Sequence, residues 1–171
     1  MSQVDVRLLH GNPAEIEKLQ KVLEGAPNYS KRITGCPPGA DDAESLCSII
    51  PEGVDYEDKF VYGIYLDKEM IGCIDVLRGY PKEGTALIGL FLLAETYQQK
   101  GYGSLAFELL KKHLSRWEEC QILRLGNVRT NEVVFPFWKK MGFAEIGEVK
   151  PFNYNEIESE VVVMERPLYE V

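Results

Sequence analysis

Apolar positions along this chain recur at two periods, near two and near 3.6, and each change of period predicts where a strand gives way to a helix. Val4 to Leu9 alternates and predicts a first strand. Asn12 and Pro13 then carry the marks of a helix start, with Asn12 as cap, Pro13 in the first turn and Glu15 completing a capping box. Ile16, Leu19, Val22 and Leu23 form the apolar stripe of that helix, and Gly25 stops it. Ala26 to Gly39, with Pro27, Pro37, Pro38 and Gly39, predicts a loop. A short second helix follows, capped by Asp41, with Ala43, Leu46, Cys47 and Ile50 facing inward. The polar stretch Pro51 to Lys59 predicts another connection.

Phe60 to Leu66 and Met70 to Leu77 are apolar runs joined by Asp67-Lys68-Glu69, a hairpin signal. The turn Arg78 to Gly84 leads into a third consecutive strand, Thr85 to Leu93. A glycine-bearing segment then opens a helix, Ser104 to Trp117, that buries Leu105, Ala106, Leu109, Leu110 and Leu114 and exposes Glu108, Lys111 and Lys112. Gln121 to Val128 predicts a strand and Glu132 to Met141 a helix stopped by Gly142; Pro136 sits comfortably there only if the helix starts later than Glu132. Ala144 to Val149 and Ile157 to Met164 predict a closing hairpin around Pro151 to Glu156. This order places the chain in the mixed α/β (α+β) class, with a mixed sheet, antiparallel at its centre and flanked by helices, rather than a doubly wound βαβ fold. With no repeat or linker, residues 1–171 read as a single domain.

Composition narrows the picture only modestly. Hydrophobic residues at 45% and charged residues at 27% describe an ordinary globular protein. A net charge of −8 makes the chain a poor partner for nucleic acid and is compatible with cationic small molecules. No apolar run approaches the roughly 20 residues that span a bilayer, so no membrane role is expected. Met1 to Arg7 alternates like a strand and lacks the apolar core of a signal peptide, which makes a cytoplasmic location the default. Cys36, Cys47, Cys73 and Cys120 have no paired spacing and no neighbouring histidine, so neither a zinc site nor a disulfide framework is predicted. His10 and His113 have no motif around them and read as structural.

The chemistry concentrates in Gln98-Gln99-Lys100-Gly101-Tyr102-Gly103. A glycine-rich turn between a strand and a helix leaves backbone N–H groups unpaired at the positive end of the helix dipole, a seat for phosphate oxygens. Gly101 and Gly103 let an anion approach without a Cβ in the way, and Ser104 adds a hydroxyl. A nucleotide P-loop is excluded, because after Gly79 and Gly84 comes Thr85 instead of lysine, followed by a strand. Gly101-x-Gly103-x-x-Ala106 fits the dinucleotide fingerprint. The following strand, however, ends in Leu125-Gly126-Asn127-Val128 with no acidic residue for a ribose, and the turn follows an antiparallel hairpin.

Gln98-x-x-Gly101-x-Gly103 after an apolar strand resembles the acyl-CoA loop of the GNAT N-acetyltransferase superfamily. Asn131-x-x-Val134-x-x-Phe137-Trp138-x-x-x-Gly142-Phe143 resembles that family's second signature, and the element order from Val4 to Met164 is similar too. The resemblance implies acetyl-CoA as co-substrate, no metal, and an N-acetyltransferase in which an amine attacks the thioester directly in a ternary complex. It implies that the pyrophosphate rests on the amides of Gln99, Lys100, Gly101, Tyr102, Gly103 and Ser104, beside Gln98. The pantetheine would lie along Phe91, Leu92 and Leu93 with Asn131 against it, and the Leu93 N–H would face the thioester carbonyl. The acceptor is a small-molecule or peptide amine; a homodimer is left open.

Amide formation needs a base for an amine whose conjugate acid has a pKa of about 10.4, and a proton for the leaving sulfur. Trp138 stands where many members carry a tyrosine that serves the sulfur, and an indole N–H is no acid. Tyr97 and Tyr154 are the substitutes the chain offers. The strand Thr85 to Leu93 lacks a glutamate found in some members, and Asp75, interrupting the apolar run Ile71 to Leu77, is the candidate base, against the alternative of a solvated edge-strand aspartate. Arg78 and Tyr80 are acceptor-site candidates from the turn that follows, as is Tyr29 from the first long loop. Lys139 and Lys140 are either a solvated helix end or contacts for the nucleotide phosphate. The two departures keep open a non-catalytic module that senses acyl-CoA with the same fold.

Overall fold

The computed structural model describes residues 3–169. Seven strands form one sheet: β1 (Val4–Leu8), β2 (Lys59–Leu66), β3 (Glu69–Arg78), β4 (Thr85–Leu93), β5 (Ile122–Val128), β6 (Ala144–Tyr154) and β7 (Ile157–Pro167), in the spatial order β1-β2-β3-β4-β5-β7-β6. Every neighbouring pair is antiparallel except β4 and β5. Five helices flank it: α1 (Pro13–Glu24), α2 (Pro27–Thr34), α3 (Asp42–Ser48), α4 (Tyr102–Leu114) and α5 (Phe135–Lys140). This is the mixed, mostly antiparallel sheet with flanking helices that the sequence predicts. No helix among the described residues is long and apolar enough to cross a membrane.

Alternation along the strands sends successive residues to opposite faces, so the sheet carries two cores. On one face α4 and α5 close over Phe107, Leu110, Leu114, Leu123, Trp138, Phe143 and Met164. On the other, α1 and α3 cover β2 and β3 through Leu19, Val22, Ala43, Val61 and Cys73. His113 lies 2.9 Å from the carbonyl oxygen of Val6 and ties α4 to β1, a structural role. At the far side of the sheet Arg124 of β5 donates to Glu165 of β7 and Glu148 of β6, pinning three strands together.

The capping box at α1 forms as read: Asn12 Oδ1 accepts from the Glu15 N–H at 2.9 Å, and Glu15 accepts from the N–H groups of His10, Gly11 and Asn12. Four expectations need correction. The loop expected over Ala26 to Gly39 contains α2, because Pro27 occupies its first turn, where proline favours a helix, and Gly35 terminates it at φ 76°. Leu105 is 54% exposed, and the turn of α4 buries Phe107 instead. The helix expected from Glu132 is a 3₁₀ segment over Arg129–Val134, and α5 begins only at Phe135, which puts Pro136 in the first turn. The closing hairpin has no long loop: β6 runs to Tyr154, and Pro151 is tolerated because β6 is an edge strand.

Phe107 has no exposed surface and packs edge-on against Trp138 and Phe143. Phe107→Ala should therefore lower the unfolding free energy by about 3–5 kcal/mol in chemical denaturation. A loss below about 1 kcal/mol would contradict this packing.

Candidate active site

β4 is paired along most of its length with β3, from Arg78↔Ala86 to Gly72↔Leu93. With β5 it pairs only from Thr85↔Ile122 to Ile88↔Leu125. Beyond that the strands part, although β5 stays paired with β7 up to Val128↔Val161. Gly89–Leu93 and Gly126–Val128 therefore face each other across a cleft with unpaired strand edges. A bulge contributes to the parting: Asp75 pairs with Leu90 and Val76 with Ile88, which leaves Gly89 as the extra residue.

The glycine segment lies at the open end of this cleft. After Leu93 the chain makes a 3₁₀ turn over Glu95–Tyr97 and enters α4 through Gly101. Gln98 Nε2 donates to the Leu93 carbonyl at 2.7 Å and fastens the segment to the strand end. Gly101 adopts φ 88°, a left-handed conformation costly for residues with a Cβ, and this turns the following amides outward. Among the described residues, the N–H groups of Gln99, Lys100, Gly101, Tyr102, Gly103 and Ser104 donate to no protein acceptor. Gly103 lies flat against Phe137, where an added Cβ would come within 3.2 Å of the ring. A run of free donors on a helix's positive end, next to unpaired strand edges, suits a phosphate followed by an extended amide chain.

Asn131 is buried at the C-terminal end of β5, in a non-helical turn of its 3₁₀ segment. Its Oδ1 accepts from Arg32 Nη1 at 3.5 Å, and Thr130 Oγ1 donates to the Arg32 carbonyl at 2.6 Å. Asn155, at the β6–β7 turn, donates to the Thr34 carbonyl, and Glu95 accepts from the backbone and side chain of Asn28. Polar bonds thus tie α2 to the segments that follow both cleft strands and to the β6–β7 turn, and α2 itself buries no residue fully. Arg32 is not legible from the sequence, because it lies in the stretch Ala26 to Gly39 whose prolines predict a loop.

Asp75 is on β3, an interior strand, so the solvated edge-strand alternative is excluded. Its side chain is 13% exposed and pairs at 2.9 Å with Lys59 Nζ, whose side chain is 5% exposed. Burial pushes the Asp75 carboxyl above its ordinary value, and the hydrogen bond and charge of Lys59 oppose that rise. Lys59 also escaped the sequence reading, because it ends a polar stretch; its pairing two positions diagonally from Asp75 is visible only once β2 and β3 are in register. Tyr29 packs on the same face beside Cys73 and Leu92, and burial raises its hydroxyl pKa to about 12.

The other candidates are dispersed. Arg78 is three residues from Asp75 on one strand and so faces the opposite side, where it stacks on Phe60 and Trp117 and donates to Asp58 and the Glu57 carbonyl. Tyr80 lies in the turn beyond it, at the closed end of the β4–β5 pair. Neither joins Asp75 as expected. Tyr97 donates to Glu69 at 3.0 Å, and this acceptor raises its pKa, which weakens it as an acid. Tyr154 is 52% exposed at the tip of β6. Trp138 is enclosed edge-on by Phe91, Phe107, Phe137 and Phe143. Lys139 and Lys140 are exposed at the end of α5. No group of three or more His, Cys, Asp or Glu that could hold a metal occurs among the described residues. A hollow of about 830 Å³ opens between α1 and α3, lined in part by His10, Gln20, Asp41 and Glu44, and shares no lining residue with the cleft edges or the glycine segment.

The family model for the acetyltransferase (GNAT) family matches residues 33–143, and the chain belongs to this family. Among solved structures, an acetyltransferase from Thermus thermophilus superposes with a TM-score of 0.74 at 21% identity, covering 96% of this chain and 97% of that one. A spermidine N-acetyltransferase from Vibrio cholerae, in complex with CoA and spermine, gives 0.75 at 16% identity over 97% and 96%. An aminoglycoside 6′-N-acetyltransferase complexed with coenzyme A gives 0.70 at 13% identity over 98% of each chain. At these identities the likeness shows the fold. No curated protein matches the chain.

The Lys59–Asp75 pair gives a stability prediction. Lys59→Met leaves a buried carboxylate uncompensated and should cost about 3–5 kcal/mol in urea denaturation, whereas Lys59→Met with Asp75→Leu should recover most of that loss. Additive losses in the double variant would contradict a buried, coupled pair.

Proposed function

We propose that this acetyltransferase-family chain is a single-domain N-acetyltransferase that uses acetyl-CoA to acylate a primary amine on a small molecule or peptide. The observation that carries the reading is the set of free amides from Gln99 to Ser104, opening onto the unpaired edges of β4 and β5. The cradle fits the group: Gly101 is left-handed, Gly103 adds no side chain against Phe137, and the strand edges offer both N–H and C=O groups.

In this reading Gln99 to Ser104 hold the pyrophosphate, with Lys100 as an adjacent positive charge. Phe91, Leu92 and Leu93 offer their backbone to the pantetheine from one side, and Asn131, steadied by Arg32, bounds it at the other. When bound, acetyl-CoA supplies the acyl group: a C–N bond forms, the C–S bond breaks, and the coenzyme leaves as thiol. Asp75 receives the proton the amine nitrogen must shed, either directly or through one water. The proton taken by sulfur comes from solvent, since Tyr97 is held by Glu69, Tyr154 is at the hairpin tip and burial raises the Tyr29 hydroxyl to about 12. Tyr29, reaching from α2 onto the Asp75 face, lines the acceptor side. The acceptor class is supported by the net charge of −8 and by the spermine and aminoglycoside named for two structural neighbours.

Calorimetry should show one acetyl-CoA bound per chain, and Gly101→Ala should weaken it about five- to thirtyfold, because a Cβ at φ 88° strains the segment by about 1–2 kcal/mol. No binding by the native chain would refute the reading. In a thiol-release assay over an amine panel, Asp75→Asn should lower kcat by about 10²–10⁴. Because the folded Asp75 pKa is raised, the carboxylate takes up its proton as pH falls through that raised value. The native rate should therefore be lost on the acid side at a higher pH than an exposed aspartate would give, and Asp75→Asn should abolish this limb. Acetyl-CoA binding without turnover on any amine would favour an acyl-CoA sensor, the reading that Trp138 in place of a tyrosine keeps alive.

A further inference from the structure

The Lys59–Asp75 pair has an asymmetry that bears on the base. Lys59 Nζ donates to Oδ1 of Asp75 at 2.9 Å, whereas Oδ2 accepts from no donor among the described residues. No polar side-chain atom among those residues is both buried and unpartnered, so Oδ2 reaches solvent. The way out is over Gly89: a Cβ there would come within 3.0 Å of Oδ2. Gly89 is the bulge residue, exposed, at the point where β4 leaves β5 and the unpaired edge begins. Its φ is not positive, so the backbone does not demand glycine; the space beside the carboxylate does.

We infer that Lys59 is a positioning residue that anchors Asp75 through Oδ1, leaving Oδ2 as the single oxygen presented to the acceptor nitrogen, and that glycine at position 89 keeps that oxygen open. The inference rests on the acetyl-transfer reading of the cleft. Lys59 lies on β2 and points diagonally across to β3 on the face covered by α1 and α3. Two charges taken out of water this far are justified energetically only when paired, and the pairing here fixes one oxygen and frees the other. The other titratable groups around Asp75 are Cys73 on its own strand and Cys47 on α3, both with thiols pushed up by burial and so neutral at ordinary pH. Tyr29 from α2 faces Cys73, and β4 contributes Leu90 opposite Asp75 and no titratable group. Among the described residues Lys59 is thus the one cation facing the carboxyl. In the transfer step Oδ2 gains the proton lost by nitrogen, and Oδ1 stays with Lys59.

The test follows the Asp75 carboxyl carbon by ¹³C NMR in protein labelled at aspartate Cγ, assigned by the signal missing from Asp75→Asn. In the native protein, saturating acetyl-CoA should shift the Asp75 resonance. Gly89→Ala should lose that shift, because the methyl group covers Oδ2, while the amides of Gln99 to Ser104 still respond to saturating acetyl-CoA. Lys59→Met should raise the Asp75 titration midpoint by about one to three units, and Lys59→Arg should hold it near the native value. An Asp75 resonance indifferent to acetyl-CoA, while the amides of Gln99 to Ser104 respond, would overturn the inference and leave the acetyl-transfer reading intact. Silence at those amides would strike that reading instead, and the Lys59→Met titration would still decide the role of Lys59. Should Lys59→Met not fold, the response of the native Asp75 resonance to acetyl-CoA and its loss in Gly89→Ala decide the inference without it.

Discussion

The parting of β4 from β5 after Ile88↔Leu125 is the constraint on which the rest of the molecule depends. Backbone N–H and C=O groups inside a sheet must find partners, and here two strands in the middle of a continuous sheet leave theirs open to one another. Parallel strands need a crossover, and α4 provides it, leaving β4 at its C-terminal end. The same connection therefore sets the helix's unpaired amides at the mouth of the gap that the strands open. An anion seat and a strand-shaped slot become contiguous as a matter of topology, and a ligand with a phosphate end and an extended amide chain satisfies both.

The two faces of the sheet are held by different means. The α4 face is dry and aromatic, with Phe107, Trp138 and Phe143 locked edge to edge, and it fixes the helix whose N-terminus forms the seat. The α1 and α3 face admits a buried ion pair and two thiols among its apolar residues. α2 is held over that side of the cleft by hydrogen bonds from Asn28, Arg32, Thr130 and Asn155 rather than by a buried apolar stripe. Segments held this way open at low free-energy cost. The rigid face thus carries the helix whose N-terminus opens on the cleft, and the more loosely covered face carries the Lys59–Asp75 pair.

Much of this was legible in the residues, and the exceptions have physical reasons. Gly101 and Gly103 between an apolar strand and an apolar stripe leave few structures other than a strand, a tight turn and a helix, and that sequence of elements is the one observed. Asp75 stood out because a carboxylate in an apolar run demands compensation, but its partner Lys59 could not be found without the register of β2 against β3. Arg78 and Tyr80 were grouped with Asp75 by closeness in sequence; a spacing of three on a strand puts Arg78 on the other face, and Tyr80 belongs to the turn beyond. Pro27 and the prolines after it masked α2, because proline marks a helix start as readily as a loop. The Tyr97 hydroxyl donates to Glu69 at the start of β3, a contact that spacing along the chain does not reveal.

Hydrogen–deuterium exchange resolved to single amides, with and without saturating acetyl-CoA, tests the central claim most directly. The expected result is protection confined to Gln99–Ser104 and to the open edges Gly89–Leu93 and Gly126–Val128, as if a missing strand and its phosphate had been supplied. Unchanged exchange in these segments, or protection centred on the hollow between α1 and α3, would contradict the account.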